Sequence, residues 1–370
     1  VIILLFPDFC KELRSAQLFF GVLECKFAQK STFQKILKTF LLSDIGFFTQ
    51  KCYIALKELG GRAQPVPRCQ GVCNDKQGEE ATYMKIGLIM EGGAMRGMFT
   101  AGVIDVLMEN GISFEGAVGV SAGAVFGCNY KSNQPGRAIR YNTTYCKDRR
   151  YAGMHNLMHT GNLYSEQFCY HEIPEHLDPF DAETFRNSPM EFYAVCTDVQ
   201  TGDPVYHKCV NGDSKDLEWL RASASMPLVS RIVKVDGYSL LDGGIADSIP
   251  VHFFESIGYE RNVIVLTQPK GFVKKKNKML PAMKAAMFRY PAFLAAAADR
   301  HERYNETLGY VSMLEESGKA LVIRPPIPLE IGAMERDPAE LRRVYDTGRA
   351  VAAMHLPRIR AFMEAAREMA

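Results

Sequence analysis

From Lys85 onward the sequence predicts an α/β fold built on a largely parallel central sheet. Short apolar runs of strand length alternate with longer amphipathic stretches of helical period, the pattern of repeated strand-helix units. Glycine-rich segments stand at two of the strand-to-helix boundaries, residues 91–97 and 119–123. A chain of 370 residues, 47% hydrophobic and 23% charged, is also able to bury a sizeable core. One large α/β domain with an appendage is the expected organisation.

The first strand is expected over 86–90, an apolar run directly after Met84 and Lys85. A helix follows over 99–109, where Val103, Val106 and Leu107 share one face and Gly111 marks the end. Next come a strand over 117–120 and a helix over 122–130. Strands are expected again over 191–198, 238–241, 263–267 and 320–323. Helices are expected over 217–224, after Pro250, and at the C-terminus over 338–352 and 357–368. There is no internal repeat, and the only low-complexity run is 274–278. The expected division is an N-terminal extension over 1–83, an α/β core over 84–270, and a mainly helical part over 271–370 packing on the same domain.

Several function classes are disfavoured by composition. A formal net charge of +2 and a pI near 8.0 provide no electrostatic case for nucleic acid. No apolar run approaches the roughly 18 to 20 residues of a membrane-spanning helix. Residues 1–6 are apolar, but Pro7 and Asp8 stop them short of a secretory signal, so a cytoplasmic protein is expected. The ten cysteines include no C-x-x-C pair, and Cys69 and Cys73 lack the partners of a zinc site. They read as free thiols in a reducing compartment, and neither metal nor cofactor is expected.

All 17 methionines lie at or after Met84, although residues 1–83 at the same frequency would hold several. The expectation is a native reading frame that starts at Met84, with 1–83 as translated upstream sequence. A genuine extension with an amphipathic helix over 33–42 is the alternative.

Three segments carry chemistry. The first, Glu91-Gly92-Gly93-Ala94-Met95-Arg96-Gly97, has glycines that let backbone N–H groups converge and a helix N-terminus that adds partial positive charge. That pattern suits an anion or a plain tight turn. Ala94 breaks the dinucleotide fingerprint, and Met98-Phe99 after Gly97 breaks the P-loop pattern. The second, Gly119-Val120-Ser121-Ala122-Gly123, has the small flanking residues that permit a sharp strand-to-helix turn with Ser121 at its apex. A serine that merely caps the next helix would look similar. The third, Leu240-Leu241-Asp242-Gly243-Gly244, ends a strand with an Asp that can point into a crevice, or is only a turn.

Taken together, these segments resemble the patatin-like phospholipase family, whose pattern is a glycine-rich loop, then G-x-S-x-G, then Asp-Gly-Gly or Asp-Gly-Ala, in this order. The stretch Arg221-Ala-Ser-Ala-Ser-Met-Pro227 is also similar to that family's Ala-Ser-rich segment. The resemblance runs from Lys85 to about Thr267 and departs at Ala94, where the family usually has glycine. It implies a three-layer α/β/α fold. It further implies a serine acyl hydrolase in which Ser121 is the nucleophile, Asp242 its base, and the amides of Gly92 and Gly93 the oxyanion donors. Ala94, Arg96 and Gly97 would complete the substrate-binding loop, with Arg96 adding charge near the loop or a lipid phosphate. Gly119, Gly123, Gly243 and Gly244 would shape the turns.

The implied partner is a lipid ester. A Ser-Asp-His arrangement would need His252, His301 or His355, none of which follows a glycine-rich strand end. The basic run at 271–278 and the methionine-rich stretch at 279–288 read first as a solvated loop beside a core helix, with a peripheral contact with an anionic bilayer as the alternative. Two other functional readings stand beside the hydrolase. One is a lipid-binding or regulatory module with a degenerate site, to which Ala94 points, and the other is a nucleotide-binding protein.

Overall fold

The computed structural model describes residues 84–368. The helix expected over 33–42, the Cys69 and Cys73 pair, and the question of the reading frame lie outside the described residues.

The elements follow in chain order, each bounded as it is introduced. Strand β1 (Ile86–Met90) leads through a short 3-10 turn (Ala94–Arg96) into α1 (Gly97–Glu109), and β2 (Gly116–Val120) leads into α2 (Ala122–Lys131). Helices α3 (Arg137–Tyr145) and α4 (Met154–Thr160), a π-helical segment (Phe168–Leu177) and α5 (Ala182–Asn187) come before β3 (Glu191–Asp198). Then come β4 (Pro204–Cys209), α6 (Ser214–Ser223), β5 (Val233–Val235), β6 (Tyr238–Asp242), α7 (Val251–Ser256) and β7 (Arg261–Val265). The chain ends with α8 (Leu280–Ala286), α9 (Pro291–Glu316), β8 (Ala320–Ile323) and α10 (Pro338–Glu368).

The strands form one eight-stranded sheet in the order β5-β6-β3-β2-β1-β7-β8, with β4 also paired to β3. Pairings among β3, β2, β1, β7 and β8 are parallel, and those of β4, β5 and β6 are antiparallel. Every residue of β1, β2 and β8 is buried, as expected for parallel strands covered on both faces. Alternation along the strands divides the core. Leu88, Met90, Val263 and Val265 pack with α1 and α10, whereas Ile89 and Ile264 pack with Phe254 of α7 and Val311 and Leu314 of α9. The fold is therefore the expected α/β type with a mostly parallel central sheet between two helical layers.

The expected strands are all present, some with ends shifted by one or two residues. Strands β4 and β5 were not anticipated. Most of β4 is only half-buried, and Tyr206, His207 and Lys208 blur its alternation. The long helix α9 was also missed, because its few buried positions are spread thinly among charged residues.

One expectation is corrected. The C-terminal helices over 338–352 and 357–368 are a single helix, α10, that runs through Pro357. Proline removes a backbone donor and crowds the preceding turn. Here the buried stripe continues past it, from Val344, Gly348 and Val351 to Ile359, Met363 and Ala366. Burial of that stripe outweighs the local cost.

Helices α1 and α10 touch backbone to backbone. A Cβ on Gly348 would sit 2.1 Å from the Phe99 carbonyl oxygen, and one on Gly102 would sit 2.1 Å from that of Tyr345. No side chain fits at either position, so Gly348→Leu is expected to cost at least about 1–3 kcal/mol, the usual range for overpacking. Thermal denaturation tests this. An unchanged Tm would contradict the close crossing.

Candidate active site

The geometry of the site begins with strand β3. Val195 of β3 pairs with Val120 of β2 and Tyr206 of β4, and the next residue, Cys196, pairs with Val205 of β4 and Asp242 of β6. Because β4 keeps one edge of β3, β2 and β6 must share the other. They run along it in opposite directions and meet head-on, β2 ending at Val120 and β6 at Asp242. Neither chain can continue straight. Ser121 leaves the sheet at φ 56°, ψ −122°, and Asp242 is followed by a 3-10 turn, Gly243–Ile245. At the junction the Ser121 Oγ hydroxyl donates to Asp242 Oδ2 at 2.6 Å.

The small residues around this junction are dictated by contact. A Cβ on Gly119 would lie 2.4 Å from the carbonyl oxygen of Gly123, and one on Gly123 equally close to that of Met90. At Gly243 it would lie 2.0 Å from the carbonyl oxygen of Val195, and at Gly244 it would lie 3.0 Å from Asp242 Oδ1. Positive φ at Ser121 is strained for a residue with a side chain, typically by about 1–3 kcal/mol, and persists because neighbours hold it. The Ser121 N–H donates to Ser223 Oγ at 2.9 Å, and that hydroxyl donates onward to the Val195 carbonyl at 2.6 Å. On the other partner, the Asp242 N–H donates to the Ser225 carbonyl at 2.8 Å.

Residues 221–227, similar in sequence to a family segment, thus grip both partners. Ser223 and Ser225 were not singled out from the sequence. Their motif offered the signal without its physical meaning.

The loop from Glu91 lies against the same turn. A Cβ on Gly92 would be 2.8 Å from the Val120 carbonyl oxygen and 3.0 Å from Ser121 Cβ. Glu91 is buried and anchors the loop from below, accepting from the Thr267 N–H and the Tyr304 hydroxyl, both at 2.6 Å. The Arg96 N–H is spent on the Gly93 carbonyl, whereas those of Gly92 and Gly93 donate to no group among the described residues. Ala94 takes φ 47° despite its Cβ, so it follows the left-handed path that a glycine would take more easily. Gly97 opens α1, where a Cβ would meet that of Ala122 at 2.7 Å.

Asp242 has its pKa raised. Burial is the main cause. The hydrogen bond from Ser121, the charge of Arg300, the Gly244 N–H and the charge of Lys274 oppose it. Two spaces open beside the pair. One is a crevice lined by Gly92, Gly93, Ala94, Ser121 and Asp242, with Arg96, Lys274 and Arg300 also on its wall. The other is a mainly apolar chamber reaching past Met95, Val125, Phe126, Tyr141 and Leu220, of about 1140 Å³ with its open mouth included. Ala94, Ser121 and Met226 line both.

None of the histidines bonds Ser121 or Asp242 or lines these spaces. His252 is exposed beside Glu255, His301 bonds the Ala298 carbonyl, and His355 is held below the ordinary imidazole pKa by burial. The described residues include one trio with metal-ligand geometry, His207, Cys209 and Asp216, their ligand atoms within 4.8 Å of one another. The carboxylate of Asp216 already receives the N–H groups of Asn211 and Gly212. Sequence reasoning also missed Lys274 and Arg300. Lys274 was read as part of a solvated basic run, and Arg300 sits in α9 with no motif around it.

Residues 88–254 match the family described as patatin-like phospholipase. That match covers 167 of the 370 residues, a little under half of the chain, and is to a family of lipid hydrolases. A second match, over residues 290–364, is to a domain of unknown function, DUF6363. YjjU of Escherichia coli K12 is 28% identical over 274 residues, 72% of this chain and 75% of its own. The protein named lysophospholipase nte1 of Aspergillus oryzae is 24% identical over 74% of this chain, which spans only 18% of that relative. Among solved structures, VipD from Legionella pneumophila covers 73% of this chain and 67% of its own at 14% identity, with a TM-score of 0.36. The patatin-like match runs from β1 into α7 and includes Ser121, Asp242 and the glycines at 92, 93, 97, 119, 123, 243 and 244. Lys274 lies beyond it, and Arg300 falls within the second match.

Because the folded pKa of Asp242 is raised, its carboxylate opposes folding. Its contribution to stability is fully present below the unfolded pKa and is lost as pH rises through the folded one. Asparagine can keep both contacts, its carbonyl taking the Gly244 N–H and its amide facing Ser121 Oγ. Asp242→Asn is therefore expected to raise Tm by a few degrees at about pH 8 and to lose that advantage at about pH 4. Paired melting curves at the two pH values check it, and a variant less stable at both would contradict it.

Proposed function

We propose that this protein hydrolyses carboxylic esters of lipids through an acyl-enzyme, with Ser121 as nucleophile and Asp242 as its only side-chain base. The observation that carries the reading is the 2.6 Å hydrogen bond between Ser121 Oγ and Asp242 Oδ2, with no histidine at either group. The match of residues 88–254 to a lipid hydrolase family supports the reaction class.

In the proposed reaction Ser121 Oγ attacks the ester carbonyl carbon while its proton passes to Asp242. A base that is too acidic accepts protons poorly, so the burial that raises the Asp242 pKa suits it to the task. The carbonyl oxygen becomes an oxyanion beside the amides of Gly92 and Gly93, and each such donor is worth about 3 kcal/mol in other hydrolases. The Ser121 N–H is already committed to Ser223 and is not counted among them. Collapse expels the alcohol, which takes the proton back from Asp242. Water then repeats the sequence: Asp242 takes its proton as the oxygen attacks the acyl-serine, and collapse breaks the acyl–Oγ bond, releasing the fatty acid while Ser121 Oγ takes the proton back from Asp242. The apolar chamber beside Ser121 suits the acyl chain.

A lipid surface is the proposed source of substrate. Val273, Met279 and Phe288 are exposed, and Lys275, Lys276 and Lys278 stand exposed among them. Met283 and Met287 of the same stretch turn inward against Phe293. Among the described residues no helix is long and apolar enough to cross a membrane. Contact would then be peripheral. The degenerate-site alternative rests on Ala94 and predicts lipid binding without turnover.

A fluorophosphonate probe is expected to label wild type and not Ser121→Ala, and Ser121→Ala is expected to lose at least about a thousandfold in ester hydrolysis. Equal labelling of both would refute Ser121 as nucleophile, and a loss of that size from a single histidine→alanine change would refute the dyad. Co-sedimentation with anionic vesicles is expected and should weaken at high salt. Absence of binding at any salt would remove the surface contact.

A further inference from the structure

Away from the crevice, three side chains able to ligate a metal converge where β4 meets α6. His207 and Cys209 stand two residues apart on β4 and so share one face of the strand, opposite Ala194 and Phe192 of β3. Asp216 comes to them from the first turn of α6. A ring nitrogen, a sulfur and a carboxylate oxygen thus lie within 4.8 Å of one another. Ligands bound to zinc at about 2.0–2.3 Å stand roughly 3.3–3.8 Å apart around the tetrahedron. His207 Nε2 and Asp216 Oδ1, at 3.4 Å, already have that spacing. A shift of about 1 Å brings the Cys209 sulfur into it.

The ligands are also held in orientation from behind. Asp216 Oδ2 receives the N–H groups of Asn211 and Gly212 at 2.7 and 2.8 Å, which leaves Oδ1 turned to His207. The His207 ring lies flat on the indole of Trp219 with centroids 4.1 Å apart, and the indole N–H donates to Asp236. Cys209 is buried and free of any disulfide. Supports of this kind fix the direction of a metal ligand before the ion arrives.

We propose that His207, Cys209 and Asp216 form a zinc site, with water as the fourth ligand on the partly exposed side of His207. One sulfur, one nitrogen and one carboxylate oxygen suit zinc, whereas magnesium and calcium require oxygen throughout. The charges balance. Burial and the charge of Asp216 push the Cys209 thiol well above its ordinary pKa, so the sulfur carries a proton until an ion displaces it to water. Thiolate and carboxylate then match the two positive charges of zinc. Lys131 is a cation at this cluster, its Nζ donating to the Cys209 carbonyl at 3.4 Å. Burial holds its pKa below the ordinary lysine value, so it gives up its own proton more readily when zinc enters. None of the three ligands lines the crevice or the apolar chamber, so the ion takes no part in ester cleavage. Its task is to clamp β4 to α6. That helix ends in Ser223, which holds the Ser121 amide, and Ser225 just beyond it holds the Asp242 amide.

Zinc titration of the chelator-treated full chain, followed by calorimetry and thermal denaturation, tests the site. Zinc is expected to bind and to raise Tm, and magnesium to leave Tm unchanged. Cys209→Ser and His207→Phe, which keeps a ring against Trp219, are each expected to weaken zinc binding at least about tenfold. Five further cysteines lie in residues 1–83, so loss of binding in the Cys209 variant is what assigns the ion to this site. Cobalt(II) supplies a second readout. Its thiolate charge-transfer band is expected in wild type and in Cys146→Ala and is expected to vanish in Cys209→Ser. Failure of wild type to bind zinc overturns the proposal. So does zinc affinity or a cobalt band unchanged in Cys209→Ser, which would mark an ion held elsewhere in the chain.

Discussion

The arrangement depends on two strands meeting head-on along one edge of a third. Strand β2 reaches Val120 beside Val195, and β6 arrives from the opposite direction at Asp242 beside Cys196. Adjacent positions on one strand edge leave no room for either chain to continue. Both therefore turn out of the sheet at the same point, and a hydroxyl and a carboxylate are brought to 2.6 Å. The glycines at 119, 123 and 243 follow from that crowding, because each faces a backbone carbonyl closer than any Cβ could stand. The positive φ of Ser121 follows from it too.

Around this junction the polar groups form a support with little slack. Ser223 joins the Ser121 amide to the Val195 carbonyl, and Thr197 donates its hydroxyl to the Asp242 carbonyl at 2.8 Å. A buried hydroxyl that both donates and accepts leaves no orphan on either side, which matters more than the modest net worth of each bond. Glu91 does the same for the glycine loop, fixing it to Thr267 after β7 and to Tyr304 on α9. The loop is thus held from the C-terminal half of the chain, and the helical part after the patatin-like stretch takes part in building the crevice.

The electrostatic design sets two demands against each other. Burial raises the pKa of Asp242, as the proposed base requires, while the nearby cations Arg300 and Lys274 favour its charged form. Among the described residues the same cations form no ion pair. A crevice arranged only for stability would pair them or exchange them for apolar residues.

By itself the sequence determined what short-range chemistry can encode. Apolar runs marked strands β1, β2, β3, β6, β7 and β8, and the small residues around Ser121 and Asp242 marked two sharp turns, because strand burial and steric crowding act on neighbouring residues. The order of the three motifs was enough to point to the family. Tertiary structure decided what depends on distant partners. It joined 338–352 to 357–368 across Pro357, since a buried stripe outweighed one lost backbone bond. It let Ala94 follow a glycine's path, and it spent the Ser121 amide on Ser223. It also brought Lys274 and Arg300 to the crevice from a basic loop and an unmarked helix. A lone lysine or arginine has no local signature of the cavity it will face. That is set only when the sheet and its two helical layers close around the site.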